Sequence, residues 1–212
     1  MPAIDLRLSE LSQQERYKVL SSIVIPRPIA LVTALMENGQ VNAAPHSFFN
    51  AFSDDPPIIA LGVALRPDKT LKDTARLALH NREFVVNLVD EAYATRMSDA
   101  AIDFPPDVSE VEALGLETLP STDIKTPRLK DAPFSYECKH MVTLHFSAER
   151  AFIVGEVLRV HARDGLMDPK TLRIDLEAYR PVGRLFGDLY AHQLDTFELK
   201  RPPYADWLKS QK

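Results

Sequence analysis

The apolar residues of this chain fall mostly into short runs separated by polar turns, a pattern that favours strands over long helices. Residues 29–35 are rich in strand formers, and the sequence Glu-Asn-Gly-Gln at 37–40 predicts a hairpin turn into a second strand at 41–44. Residues 56–65 form a nearly continuous apolar run, which predicts a strand buried on both faces. Further strands are predicted at residues 83–89, 136–146 and 152–162.

Helical signals are fewer and shorter. Ser12 and Glu15 form a capping box that predicts a helix through about residue 22. Apolar residues recur at helical spacing in 70–80, where Thr70 is the predicted cap, and residues 91–101 and 109–115 also read as helical. The order of elements, without regular βαβ repetition, predicts a mainly β protein with added helices, built on a largely antiparallel sheet or barrel. We expect one domain spanning residues 1–212, with a short N-terminal helix and a C-terminal tail.

Composition excludes several classes of function. With 25 Lys and Arg against 30 Asp and Glu, the net charge of −5 argues against nucleic acid as a main partner. We see neither an apolar run of about 18 to 20 residues nor a signal-peptide pattern, so we expect a cytoplasmic protein without a membrane partner. The single cysteine, Cys138, excludes an internal disulfide, and the seven glycines form no dinucleotide or phosphate loop motif.

Metal and hydrolase chemistry are not predicted. His140 and His145 should lie on opposite faces of an uninterrupted strand, and the chain has no His/Cys cluster and no GxSxG motif. Asp54 and Asp55 precede two prolines and are interpreted as turn residues. We therefore expect no metal site.

Two segments could bind a ligand. Three cations gather around the predicted start of the 70–80 helix: Arg66, Lys69 and Lys72. A phosphate there could accept hydrogen bonds from the first-turn N–H groups, the Thr70 hydroxyl and a lysine, although Asp68 and Asp73 could instead neutralise the cations. Residues 42–50 combine small, polar and aromatic residues after a predicted strand, and are either a ligand site or a strand end with Phe48 and Phe49 in the core.

These segments, taken with the PRPIALVT sequence at 26–33, resemble the flavin reductase-like family of FMN-binding split-barrel proteins. The resemblance runs from about residue 17 to 190 and includes NAAPHSFFNAFSDDPP, KTLKDT, FVVNLV and RPVGRLFG in the family's order. It implies a Greek-key-like split β-barrel that forms a homodimer and holds FMN near the subunit interface. It also implies hydride transfer from NADH or NADPH to the flavin, with a monooxygenase or redox protein as a further partner.

The resemblance also implies roles for individual residues. Thr33 and the backbone of Pro45, His46 and Ser47 would lie along the flavin ring, Ser47 and Asn50 would supply polar contacts, and Lys69, Thr70 and Lys72 would hold the phosphate. Arg27 would lie near the flavin or pair with a carboxylate in the barrel wall. His46 would meet the substrate side of the flavin or pack beside Phe49. Arg184, Gly187 and Tyr190 are expected at an interface or pocket edge.

Three functions remain in competition at this point. The first is an NAD(P)H-dependent flavin reductase, in which FMN itself accepts the hydride and the protein orients the rings, so we name no catalytic side chain. The second is a nonenzymatic FMN electron carrier of the flavoredoxin kind, and the third is an FMN-dependent reductase of an organic substrate. The acidic stretch at 103–110 is either a lid over the pocket or a solvated connector.

Overall fold

The structure, a computed structural model, describes residues 3–66, 70–147, 149–193 and 195–211. Its strands are β1 Ala30–Leu35, β2 Val41–His46, β3 Phe49–Asp54, β4 Pro57–Ala64, β5 Glu83–Leu88, β6 Thr118–Leu119, β7 Arg128–Leu129, β8 Phe134–Ser147, β9 Arg150–Ala162, β10 Val182–Arg184 and β11 Tyr190–His192. Seven of them form one antiparallel sheet in the order β2-β1-β5-β8-β9-β4-β3. The prediction of a mainly β, largely antiparallel fold is confirmed.

The helices are short and lie against this sheet or at the chain ends. They are α1 Gln13–Ile23, α2 Asp73–Asn81, α3 Ala94–Asp99, α4 Glu110–Ala113 and α5 Tyr204–Ser210, with 3-10 turns at Leu8–Glu10 and Glu91–Tyr93. The capping box predicted for α1 is present, since the Ser12 side chain accepts a hydrogen bond from the Glu15 N–H and Glu15 bonds back to the Ser12 N–H. Within the described ranges, no helix is long and apolar enough to cross a membrane.

Two apolar clusters hold the fold together. The first fills the barrel, where Val32, Leu61, Phe84 and Ile153 meet the apolar side of α2. The second covers the outer face of β1 and β2 with side chains from α3, α4 and the segments beside them. Successive strand residues face opposite sides, so β1 contributes to both clusters and fixes the two layers relative to each other.

The start of α2 and the presence of β3 differ from the sequence-based expectations. The helix predicted from Thr70 begins at Asp73 with Lys72 at the N-cap, because Leu65 and Leu71 pair as a bridge and the Arg66 N–H donates to the Thr70 carbonyl at 2.8 Å. Strand β3 was not expected, because its side chains are largely exposed and give no alternation of apolar and polar residues.

The histidines on β8 lie in an irregular part of that strand. A register shift between His140 and Val142 breaks the regular alternation assumed in the sequence analysis, and His140 is buried whereas His145 is exposed. Among the residues that the structure describes, no group of three or more His, Cys, Asp or Glu side chains could hold a metal ion.

Candidate functional site

The candidate site is built on the tight turn between β2 and β3. The Gly62 N–H of β4 donates to the Phe48 carbonyl at 2.7 Å, and a β-carbon at position 62 would lie only 2.9 Å from the β-carbon of Phe48. Glycine at this position therefore allows the turn to pack directly on β4. The turn carries Ser47 and follows His46, so β4 fixes where these two predicted ligand residues lie.

His46 has a buried polar atom that the described part of the chain leaves unsatisfied. Its Nε2 is buried and has no hydrogen-bond partner among the described residues. Burial, and to a smaller extent the charge of Lys72, lowers the pKa of His46 from 6.5 to about 4. The imidazole is therefore neutral at pH 7, and it lies close enough to Lys72 to sense that cation. Because an unpaired buried polar atom costs about 1–3 kcal/mol, a ligand that bonds to Nε2 would recover stability.

The N-terminus of α2 supports the predicted anion site in part. Lys72 is exposed, no side chain caps this helix, and Lys72 makes no ion pair with the described residues. Arg66, in contrast, is held by Asp73, so the alternative in which an aspartate neutralises the cations applies to Arg66. Thr70 is exposed but does not cap the helix as predicted. Lys69 and Asp68 lie outside the described residues.

Arg27 is buried and joins separate segments of the chain, but not through a carboxylate. Its guanidinium donates to the carbonyls of Ser21 and Val24 and, at 2.6 Å, to that of Leu185, and its Nε contacts the Ser47 hydroxyl at 3.4 Å. Among the described residues, Arg27 has no carboxylate partner, so the predicted alternative of a carboxylate in the barrel wall is wrong. Burial lowers the pKa of Arg27. Arg27 thus links the turn at Ser47 to the segments that contain Ser21, Val24 and Leu185.

The segment that contains Arg184, Gly187 and Tyr190, predicted at an interface or pocket edge, lies next to Arg27. Backbone hydrogen bonds pair Arg27 with Arg184, at 3.0 and 2.9 Å. The Arg184 side chain lies 4.5 Å from the centre of the Tyr190 ring and bonds to the Tyr190 hydroxyl and the Gly187 carbonyl. The structure therefore brings these three residues together beside the turn that carries Ser47.

Thr33 is not available to a ligand in this structure, which corrects its predicted contact with the flavin ring. Its side chain is fully buried, its hydroxyl donates to the Pro127 carbonyl at 2.9 Å, and Asn87 contacts the same oxygen at 3.3 Å. Thr33 shares the outer side of β1 with Leu31, under the segment that contains Pro127. Its role is to anchor that segment to the sheet.

The remaining predicted residues lie along the same turn. Pro45 is half-buried and pairs with Leu31 across β1 and β2. Asn50 is exposed at the start of β3, where its Oδ1 accepts a hydrogen bond from the Ala51 N–H at 2.8 Å and its amide N–H groups have no partner among the described residues. Both remain candidates for ligand contact.

Sequence reasoning missed a partly buried carboxylate, Glu110, behind the site. Glu110 accepts hydrogen bonds from the Ala43 N–H at 2.9 Å and the Asn42 amide at 2.8 Å, and the Asn42 oxygen accepts one from Thr74 of α2 at 3.0 Å. Burial raises the pKa of Glu110. The only sequence signal was the capping pattern at Ser109, which predicts a helix start. These bonds fix one end of the 103–110 stretch to β2, which favours the connector interpretation.

The residues present fit a flavin nucleotide at this corner. Among the described residues, the His46 imidazole nitrogen has no partner and Lys72, at a helix start without a side-chain cap, makes no ion pair. The turn beside them carries the Ser47 hydroxyl and leads to the Asn50 amide. A ligand with both a phosphate and a polar ring requires groups of this kind.

The depressed pKa of His46 makes a testable prediction about stability. Between about pH 6.5 and 4 the unfolded chain binds a proton at His46 that the folded chain does not, so stability falls as pH falls through this range. We expect the wild-type protein without ligand to lose about 2 kcal/mol more than His46→Gln over this range, measured by urea unfolding at several pH values. If the free energy of unfolding changes equally with pH in the two proteins, His46 is not held neutral in the folded state.

The chain is similar to several known proteins over most of its length. The profile described as "Flavin reductase like domain" matches residues 21–183. A Pseudomonas fluorescens 2-nitrobenzoate 2-nitroreductase is 38% identical, with a TM-score of 0.86, and the match covers 95% of this chain and 98% of that one. Nitrilotriacetate monooxygenase component B from Bacillus cereus is 32% identical, with a TM-score of 0.88 and coverage of 94% and 100%.

A third structure is similar in fold alone. The FMN-binding protein from Thermus thermophilus is 20% identical with a TM-score of 0.68, and the match covers 84% of this chain and 93% of that one. Structural neighbours of the chain are split-barrel, FMN-binding proteins. Because the family profile matches residues 21–183, which is most of the chain, the chain belongs to the flavin reductase-like family.

Proposed function

We propose that the protein is an NAD(P)H-dependent flavin reductase that binds FMN at the β2–β3 turn and transfers hydride from NADH or NADPH to it. The observation that carries this proposal is the buried, unpartnered Nε2 of His46 beside Lys72 at the uncapped start of α2. Family membership supports flavin chemistry in general, and these residues support the position of the cofactor.

Each part of the site has a defined task in this proposal. Lys69, Thr70, Lys72 and the first N–H groups of α2 bind the phosphate. Ser47, Asn50 and the backbone of Pro45 and His46 orient the ring, and neutral His46 supplies a hydrogen bond without adding charge. Bound FMN would accept hydride from the nicotinamide at its N5 atom, so no protein side chain needs to act as acid, base or nucleophile.

We also propose that the working form is a homodimer with FMN near its interface. The outer side of the barrel carries an aromatic group in which Phe52 and Phe146 are 62% and 71% exposed and each contacts Phe152, at 5.8 and 6.1 Å between ring centres. Leu144 adds to this apolar face at 45% exposure. Apolar patches of this kind commonly mark interfaces, and a second copy of the chain is the occupant that the family resemblance implies.

A charge placed on this face should separate the subunits. We expect Phe146→Asp to weaken the dimer about 100-fold, because it removes an aromatic contact and buries a carboxylate at the interface. Light scattering over a concentration series measures the change, and Ile4→Asp, at a position 83% exposed near the N-terminus, is the control. A monomeric wild-type protein, or a dimer that Phe146→Asp leaves intact, would contradict this part of the proposal.

The electron acceptor that we favour is a separate monooxygenase, reached by reduced flavin. The support is the likeness to nitrilotriacetate monooxygenase component B at 32% identity over nearly the whole chain. The likeness to a 2-nitrobenzoate 2-nitroreductase at 38% identity favours a second candidate, in which the flavoprotein reduces an organic substrate directly. We place either activity in the cytoplasm.

Steady-state turnover separates these functions. A flavin reductase oxidises NADH or NADPH at a rate that depends on added FMN and needs no organic substrate. A direct reductase requires a nitroaromatic such as 2-nitrobenzoate and does not respond to free flavin, and an electron carrier shows negligible turnover with either nucleotide. FMN-dependent oxidation in the absence of an organic acceptor is the result that we expect.

A further inference from the structure

Strand β2 carries two polar side chains that face the start of α2. Side chains alternate along a strand, so Asn42 and His46 lie on the same face of β2. His46 is close enough to Lys72, at the N-cap of α2, to sense its charge. Asn42 accepts a hydrogen bond from the hydroxyl of Thr74, the second residue of α2. Two residues at the start of this helix therefore lie beside one face of β2.

The hydrogen bond between Asn42 and Thr74 is buried, and its direction is determined by Glu110. Asn42 is 4% exposed and Thr74 is 3% exposed. The Asn42 amide nitrogen donates at 2.8 Å to a Glu110 carboxylate oxygen that also accepts from the Ala43 N–H at 2.9 Å. Because a carboxylate accepts hydrogen bonds, the Asn42 amide directs its nitrogen to Glu110 and its oxygen to Thr74. Glu110 thus determines which atom Asn42 presents to α2.

This arrangement gives Thr74 a role other than phosphate binding. A hydroxyl has one hydrogen, and Thr74 directs it to the Asn42 oxygen at 3.0 Å. The same hydroxyl therefore cannot donate to a phosphate at the same time. Since Thr74 belongs to the first turn of α2, its bond to Asn42 fixes where the first N–H groups of the helix lie relative to β2.

We propose that Glu110 and Asn42 are positioning residues for the flavin phosphate, which act through Thr74 to hold the first turn of α2 in place relative to His46. This inference rests on the proposed function, because it takes the start of α2 as the phosphate site and the β2–β3 turn as the ring site. One ligand of limited length must reach both, so the two parts of the site have to be held in register. The network supplies this register through residues that the ligand need not contact.

Affinities for FMN and riboflavin, measured by isothermal titration, separate an effect on the phosphate from an effect on the whole fold. We expect Thr74→Val, which removes the hydroxyl and keeps the shape, to weaken FMN about fivefold and riboflavin less than about twofold. Glu110→Leu should weaken FMN about 10-fold. Glu110→Gln should stay within about twofold of wild type for both ligands, because its amide oxygen can accept the same two hydrogen bonds.

Thr126→Val is a matched control for Thr74→Val. Thr126 is fully buried, and its hydroxyl donates to the Glu83 carboxylate at 3.0 Å, so the variant loses a hydrogen bond of the same length. Glu83 follows the end of α2, away from its start. We expect Thr126→Val to lower stability without changing the ratio of FMN to riboflavin affinity. The phosphorus NMR signal of bound FMN should shift in Thr74→Val and Glu110→Leu, and not in Thr126→Val.

A double-mutant cycle distinguishes positioning from direct contact with the phosphate. Thr74→Val combined with Glu110→Leu should weaken FMN no more than Glu110→Leu alone, because both substitutions break the same network. Fully additive losses would mean that Thr74 binds the phosphate itself, which would overturn the proposal. If Glu110→Leu does not fold, the comparison of Thr74→Val with Thr126→Val and Glu110→Gln still decides the result.

Three other outcomes would also overturn the proposal. A preference for FMN over riboflavin that survives unchanged in Thr74→Val and Glu110→Leu would show that the network does not position the phosphate. Tighter binding of FMN by Glu110→Gln would show that the carboxylate acts through its charge. A wild-type protein that binds FMN no better than riboflavin would contradict the phosphate site of the proposed function, and this proposal with it, before any variant is compared.

Discussion

Lys69→Ala combined with Lys72→Ala is expected to weaken FMN binding about 30- to 200-fold and riboflavin binding less than about threefold. Riboflavin carries the same ring without the phosphate, so the contrast isolates the charge-assisted contacts at the start of α2. The magnitude follows from a loss of about 2–3 kcal/mol for contacts between ammonium groups and a phosphate. Isothermal titration with each ligand measures both affinities.

The exposed Lys125→Ala substitution is a suitable control, because the only hydrogen bond described for this residue is made by its backbone N–H. We expect it to leave both affinities unchanged. Equal weakening of FMN and riboflavin by the double substitution would mean that the lysines act on the fold or the ring. In that case α2 would not be the phosphate site.

Arg27→Met is expected to destabilise the protein by about 3–5 kcal/mol. Arg27 is 4% exposed, and removal of its guanidinium leaves the carbonyls of Ser21, Val24 and Leu185 without this donor. Hydrogen bonds from charged donors contribute about 1.5–3 kcal/mol each, although contributions within one network do not add fully. Urea unfolding measures the loss, and Arg150→Met, at an exposed position, is the control.

Arg27→Lys tests whether this arginine acts by position or by charge. Lysine keeps the charge but cannot reach several separate acceptors with one planar group. We expect Arg27→Lys to remain folded while binding both FMN and riboflavin more weakly, because the turn at Ser47 loses its support. Unchanged affinity for both flavins would show that Arg27 stabilises the fold without positioning the site.

Elements with local signals were predicted correctly from the sequence. The capping box of Ser12 and Glu15 and the hairpin turn at 37–40 each depend on a few adjacent residues, and the structure contains both. Strand β3 has no comparable signal, because it lies at the sheet edge with most side chains exposed. The start of α2 was displaced by three residues because the bridge between Leu65 and Leu71 competes with helix formation.

The sequence identified the segments that form the candidate site, but not the long-range contacts that hold those segments in place. The segments that carry His46 and Lys72 are identified by their residue types, and the structure brings these two residues together. The contacts of Glu110 with Ala43 and of Arg27 with Leu185 join residues 67 and 158 positions apart. Such contacts depend on the assembled fold, so residue types and spacing could not reveal them. Thr33 was misassigned for the same reason.

The visible absorption spectrum of the protein reconstituted with FMN and freed of excess flavin tests the central claim most directly. The spectrum is recorded anaerobically before and after addition of NADH, and then of NADPH. We predict that the flavin band is retained and that at least one nucleotide bleaches it rapidly. Loss of the band on removal of excess flavin would contradict the proposed tight site, and a retained band that stays oxidised with both nucleotides would contradict the proposed reductase activity.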